Sequence, residues 1–193
     1  LKKIKTINYN NYNTDQLPRK YISSKKLIKN NKLSMIKSLS NAYKSCIEKD
    51  NAYFIGEDIA DPYGGAFKVT KGFQTDYPNN IFSTSISEAG LVGLSIGLSI
   101  NGLKSYAEIM FGDFILNAMD QIINNASKFF HMYGKQFSCD ITIRTPMGGR
   151  RGYGPTHSQS LEKFLLGIDN TLVAATTSLI DPKFLIKGLS KLE

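Results

Sequence analysis

From Asn31 onward the apolar residues of this chain switch repeatedly between two periods, and that alternation limits the fold more than any other feature. Leu33, Ile36, Leu39, Tyr43 and Ile47 recur every three or four residues, as one buried helix face requires, and Ala52-Tyr53-Phe54-Ile55-Gly56 then reads as a short buried strand. Residues 57–80 are polar and glycine-containing and read as a long loop, of a length that in compact domains usually carries function. Residues 81–86 are strand-like, and 89–101 form a helix whose Gly93 and Gly97 would allow close approach to a neighbour. The unit then repeats. Residues 105–110 read as a strand, and Asp113 can cap a helix with Ile115, Met119, Ile122, Ala126 and Phe129 on one face before Gly134 ends it. Residues 140–145 read as a fourth strand with Ile141 and Ile143 on one side, and 171–177 as a further one. Asp181-Pro182 opens a last helix as N-cap and first-turn proline. Strand and helix in this order predict an α/β fold: a doubly wound, mostly parallel sheet with helices on both faces and right-handed crossovers.

Composition sets the boundaries of that domain. A chain of 193 residues with 41% hydrophobic content can bury one sizeable core. The net charge of +8 is concentrated at the start, where residues 1–38 carry ten Lys and Arg against Asp15 alone. Residues 1–30 are therefore expected to be a basic polar arm or linker, and 31–193 the folded domain. The lysines follow no helical stripe and no aromatic platform, so nucleic-acid binding is the minority reading of the arm. No run of some eighteen apolar residues exists, and the start, Leu1-Lys2-Lys3-Ile4, lacks the apolar core of a secretion signal. A cytoplasmic protein without membrane attachment is expected. Cys46 and Cys139 have no metal-ligand spacing and read as packing residues. A leucine at position 1 suggests a piece of a longer polypeptide.

Chemistry is expected where open α/β sheets bind ligands, just beyond the carboxyl ends of the strands. Glu88 follows the strand-like run there, a position suited to proton chemistry, although a glutamate at a helix N-terminus also simply favours the helix dipole. Phe111 and Phe114 follow the next strand, where core packing is the bland alternative. His157 lies on a segment rich in glycine and proline, 146–159, and loops beside a rigid scaffold carry function disproportionately. Arg150 and Arg151 on the same segment suit an anionic substrate or partner, and solvation accounts for them equally well. His131, in a last helical turn, complements a dipole.

Five stretches in order resemble a known family: residues 63–72, Ile86-Ser87-Glu88-Ala89-Gly90, Glu108-Ile109-Met110-Phe111-Gly112-Asp113-Phe114, Met119-Asp120-Gln121-Ile122-Ile123-Asn124, and Arg144-Thr145-Pro146 through His157-Ser158-Gln159-Ser160. They are similar to the beta subunit of the decarboxylating component of 2-oxoacid dehydrogenase complexes, in the form found in bacterial fused alpha/beta chains. The resemblance covers about residues 31–193, and five ordered motifs are far more specific than one. It implies the pyrimidine-binding domain of transketolase-like thiamine diphosphate enzymes, and it makes the arm an inter-subunit linker.

By the same resemblance, Glu88 hydrogen-bonds N1′ of the aminopyrimidine and favours the imino tautomer that removes the thiazolium C2 proton. Phe114 stacks on the pyrimidine with Phe111 close by, and His157 faces the thiazolium and transfers protons. Ile141 matches a position whose backbone carbonyl helps bind a structural potassium ion in some members. The Gly-Asp-Gly and Asn-Asn motifs that hold the diphosphate and Mg2+ have no match: Gly112-Asp113 is followed by Phe114, and Asn124-Asn125 lies too near. The resemblance thus implies half a cofactor pocket, an alpha-type domain or subunit that holds Mg2+, a lipoyl domain as acyl acceptor, and an oligomer. It implies an oxidoreductase acting on pyruvate or a branched-chain 2-oxoacid, inactive as an isolated chain. The alternatives are a non-catalytic interaction module, an acetoin dehydrogenase type, or another transketolase-like enzyme.

Overall fold

The computed structural model describes residues 33–177 and 181–189, so the expected basic arm lies outside the described residues. Four strands, β1 (Tyr53–Glu57), β2 (Ile81–Thr84), β3 (Ser105–Glu108) and β4 (Ile141–Arg144), form one parallel sheet in the order β2-β1-β3-β4. The helices are α1 (Met35–Asp50), α2 (Phe73–Asp76), α3 (Glu88–Ile100), α4 (Phe129–Met132) and α5 (Pro182–Leu189).

Side chains alternate across a strand, so the register Phe54 to Tyr106 and Ile55 to Ala107 feeds two separate cores. One face carries α1 and α5 over an aromatic core. Phe54 stacks on Tyr106 with centroids 4.8 Å apart, and Tyr43 meets both edge-on at 5.2 and 5.3 Å. Each such pair adds about 0.5–1.5 kcal/mol beyond area burial. The other face carries α3 and the chain after β3 over an aliphatic core of Ile55, Leu91, Val92, Ile96, Ile109 and Ile122. A doubly wound sheet, as expected, is what the two periods produce.

Several local expectations are corrected. In α1 the buried stripe is Leu39, Ala42, Tyr43, Cys46 and Ile47, while Leu33 precedes the helix and Ile36 is exposed. The stretch 57–80 is no free loop: Ile59, Val69 and Phe73 are buried in the aromatic core, and α2 lies within it. Asp61 ties it together, accepting from the Gly72 N–H (2.6 Å) and from the Thr75 N–H and hydroxyl, and these bonds hold its carboxyl below the usual range.

The helix expected from Asp113 is a 3-10 segment (Gly112–Ala118), a π-helical turn (Gln121–Ala126) and the short α4. Its apolar face is as expected: Ile115 and Ile122 are buried, with Met119, Ala126 and Phe129 packed against the same core. Asp113 caps nothing, because its carboxylate is engaged by Gln159. Residues 171–177 form no strand. Val173 packs on the aliphatic core, but the connection from β4 holds only two 3-10 turns, Pro155–His157 and Glu162–Phe164, in place of the crossover helix that a parallel partner usually needs. Finally, Gly93 and Gly97 bring α3 into no close approach among the described residues. A Cβ at Gly97 would meet open space, and at Gly93 only the Gln121 side chain at ordinary contact distance. The close approach to the sheet is made by Ser95, whose carbonyl accepts from the Ser105 hydroxyl (3.2 Å).

Candidate functional site

The register puts Glu57, Thr84, Glu108 and Arg144, the last residues of the four strands, along one edge of the sheet. Open α/β sheets bind ligands at that edge. Buried oxygens collect there as well: Glu57 Oε2, Thr84 Oγ1 and Thr145 Oγ1 are enclosed without a hydrogen-bond partner among the described residues. Buried polar atoms are nearly always paired, so Glu57 Oε2 and Thr84 Oγ1, on adjacent strands, mark a place open to a further partner, while Thr145 stands at the other side of the sheet. On the other face of the same edge, toward the aromatic core, Glu108 Oε2 and Arg144 Nη1 form a largely buried ion pair at 2.5 Å.

Glu88 is the first residue of α3 and only 7% exposed. Ser87 caps the helix, its hydroxyl accepting from the Gly90 N–H (3.2 Å), while the Ser87 N–H donates to Glu57 Oε1 (2.9 Å). Asn117 Nδ2 donates to Glu88 Oε2 (3.2 Å), and Oε1 has no hydrogen bond among the described residues. The carboxylate therefore sits at the positive end of a helix with one oxygen held and one left over. Burial holds the Glu57 carboxyl above the usual range; the Ser87 N–H opposes that, and the charges of Glu88 and Asp58 add to it.

The aromatic half of the site follows from 3-10 geometry, in which residues three apart eclipse. Phe111, Phe114 and Asn117 thereby line one side of the segment after β3. His157 packs edge-on against Phe111 (4.9 Å) and Phe114 (5.0 Å), and Phe111 and Phe114 meet at 6.1 Å. Phe67 and Tyr153 extend the cluster, each contacting Phe111 and one another. Arg151 lies 4.9 Å from the Phe67 ring, a cation–π distance, and Arg150 is exposed. One short segment thus touches both ends of the site, Glu88 through Asn117 and His157 through Phe114.

Sequence reasoning named Glu88, Phe111, Phe114 and His157, and the last three are in mutual contact. It assigned no role to Glu57, Asn117, Phe67 or Tyr153. The available signal for Glu57 was an acid ending an otherwise apolar strand. Ile141 stands apart: it pairs with Ser105 at the amino ends of the strands, the opposite edge. Burial pushes both thiols up, Cys139 to about 11, so neither is a ready nucleophile. Among the described residues no group of three or more His, Cys, Asp or Glu could hold a metal ion, and no helix is long and apolar enough to cross a membrane.

The residues fit half of a thiamine cofactor. A buried carboxylate with a free oxygen beside aromatic rings suits an aminopyrimidine, whereas nothing described suits a diphosphate-bound metal ion.

Comparison with known proteins agrees with the geometry. The model of the transketolase pyrimidine binding domain matches residues 31–187, and the chain belongs to that family. More particularly, it is similar to beta subunits of 2-oxoacid dehydrogenases. It is 35% identical over 158 residues to the mitochondrial 2-oxoisovalerate dehydrogenase subunit beta of Dictyostelium discoideum, covering 80% of this chain and 42% of that protein. It is 33% identical to the mitochondrial pyruvate dehydrogenase E1 component subunit beta-1 of Arabidopsis thaliana, over 78% of this chain and 43% of that protein. It is 34% identical to the beta subunit of the Bacillus subtilis acetoin:2,6-dichlorophenolindophenol oxidoreductase, over 80% and 49%. The chain spans about half the length of these curated relatives. A solved structure described as a split-gene transketolase, an inactive beta4 tetramer, shares the fold with a TM-score of 0.63 at 20% identity, over 83% of this chain and 49% of that one.

Proposed function

We propose that this chain supplies the pyrimidine-binding half of a thiamine diphosphate-dependent 2-oxoacid dehydrogenase, with pyruvate or a branched-chain 2-oxoacid as substrate. The observation that carries the reading is the pairing of buried Glu88, one oxygen held by Asn117 and the other free, with the Phe111, Phe114 and His157 cluster on the same sheet edge. When bound, thiamine diphosphate supplies the carbanion chemistry of decarboxylation. Glu88 holds or accepts a proton at its free oxygen. Phe111 and Phe114 offer apolar ring faces and exclude water, and His157 is a proton carrier at the mouth. Mg2+ and the diphosphate belong to an alpha-type partner, and a lipoyl domain receives the acyl group. A potassium ion at the Ile141 carbonyl, on the far edge, would be structural only. Residues 1–30 serve as the linker to that partner, in a cytoplasmic protein whose Cys46 and Cys139 remain free thiols.

Self-association fits the same reading. Ile86, Leu94 and Leu116 are exposed around the open glycine face of α3, an apolar surface of the kind that marks interfaces. The deciding experiment is C2 proton exchange of bound thiamine diphosphate in the assembled enzyme. Glu88→Gln slows it severely with the fold intact, and exchange at the parent rate would sink the assignment. Calorimetry of this chain alone with thiamine diphosphate and Mg2+ gives weak or no binding, and tight binding by a monomer would overturn the half-site.

A further inference from the structure

The loop that carries His157 is held at both ends by two adjacent residues. At its start the Gly112 N–H donates to the Pro146 carbonyl (2.8 Å), and Met147 lies so near that a Cβ on Gly112 would collide with it. At its end Asp113 Oδ1 accepts two bonds from Gln159, from the backbone N–H (3.2 Å) and from Nε2 (2.8 Å). The Gly148 N–H donates to the Gln159 carbonyl (3.1 Å) and ties the two ends together. Between them residues 149–156 are exposed. The bonds His157 itself makes are local: its N–H reaches the Gly154 carbonyl (3.4 Å) and Nδ1 lies 2.9 Å from the Thr156 hydroxyl. The ring itself is met by Phe111 and Phe114, and the middle of the loop is held by Tyr153 on Phe111 and Phe67 and by Arg151 over Phe67; the anchor nearest His157 along the chain is the loop end at Gln159, which sets how the imidazole meets those rings.

We propose that Asp113 is a positioning residue for His157: by clamping Gln159, two residues further on, it sets the imidazole against Phe111 and Phe114. Asp113 suits the task because a carboxylate accepting from two amide donors makes charge-assisted bonds, stronger than neutral ones. It also follows Phe111 and precedes Phe114, so the clamp and the ring faces belong to one rigid turn. The part that His157 plays in catalysis rests on the reading above, but the clamp itself does not.

The chain has two histidines, which makes the test direct. In the assembled protein, with the histidines of this chain alone isotope-labelled, the His157 ring protons are displaced by the Phe111 and Phe114 ring currents, and exposed His131 serves as the internal reference. Asp113→Ala moves the His157 signals toward those of an unstructured histidine and leaves those of His131 in place. Trypsin cleavage after Arg150 or Arg151 rises about tenfold, as loss of a charged hydrogen bond from a locally opening segment requires. Asp113→Asn keeps the accepting oxygen but not its charge, and recovers most of the His157 shift and part of the protease resistance. Gln159→Ala, at an exposed side chain that the core does not need, gives an intermediate shift. Unmoved His157 signals in Gln159→Ala, with Asp113→Ala merely lowering the melting temperature, would overturn the clamp. If instead the signals move and C2 exchange and turnover do not, the clamp stands and the catalytic role of His157 falls.

Discussion

Glu88 and His157 occupy the same edge of one sheet, yet they are held by opposite means. Glu88 opens a 13-residue helix, and its backbone is fixed by a serine cap and a buried glutamate beneath it. His157 lies in a three-residue turn on an exposed loop, placed by ring packing and by a clamp at the loop end. A carboxylate in a dry, fixed frame can hold one proton in one direction. An imidazole on a tethered loop can exchange protons with what arrives from outside. The difference teaches that chemistry should separate from stability at both residues, under an isosteric change at the fixed one and, at a small packing cost, under outright truncation at the tethered one.

The largest expected effect tests the fixed member. Glu88→Gln lowers C2 exchange by about 10²–10⁴-fold, the usual contribution of a positioned acid or base. The neutral amide still fills the buried space, so the melting temperature stays close to that of the parent.

His157→Ala breaks the comparison from the other side. Turnover or lipoyl acylation falls by about 10²-fold, while thermal unfolding shifts by only about 1 kcal/mol, from two edge-on ring contacts of a half-buried side chain. A large loss of stability with normal activity would mean that the histidine is packing, and the contrast with Glu88 would vanish.

Glu57→Gln sharpens the contrast through pH. Burial raises the folded pKa of Glu57 above its unfolded value of about 4.3. The stabilisation this group provides is therefore fully present below that unfolded value and is lost as pH rises through the folded one. The amide keeps an oxygen to accept the Ser87 N–H and carries no charge to bury. Urea melts should show the variant more stable than the parent at pH 7, with the gap closing below about pH 4. An equal gap at both values would remove the charge of Glu57 from the frame that holds Glu88.

The smallest effect concerns the helix behind Glu88. Gly97→Ala faces open space and should stabilise the chain by about 0.5–1 kcal/mol, since glycine weakens a helix interior. If α3 packs on another copy through this face, sedimentation will show weaker self-association in the same variant.

Much of the scaffold was legible because it obeys a local period. The strands around Phe54, Tyr106 and Ile143, and helices α1, α3 and α5, follow from apolar spacing and from caps such as Asp181, which accepts from the Lys183 N–H. What was illegible depends on partners far along the chain. Asp113 looked like a cap until Gln159, 46 residues away, was seen to occupy it. Glu57 meets Ser87 from 30 residues away, and Asn117 meets Glu88 from 29. Residues 171–177 have a strand-like apolar and β-branched run but lack the crossover that would bring them beside β4. The motif residues Glu88, Phe111, Phe114 and His157 could be named one by one. Phe67 and Tyr153 could not, because only the folded loops bring these rings to Phe111.

The close spacing of the two anchors at Gly112 and Asp113 also bears on how such proteins diversify. A segment whose ends meet at neighbouring residues is an Ω-shaped ring with a fixed neck. Lengthening a flexible ring is cheap, about 0.6 kcal/mol for each doubling. Residues inserted or removed between Gly149 and Tyr153 would therefore change the rim that incoming molecules meet and leave the neck in place. The same frame can acquire new selectivity by drift in loop length alone, with its buried half untouched.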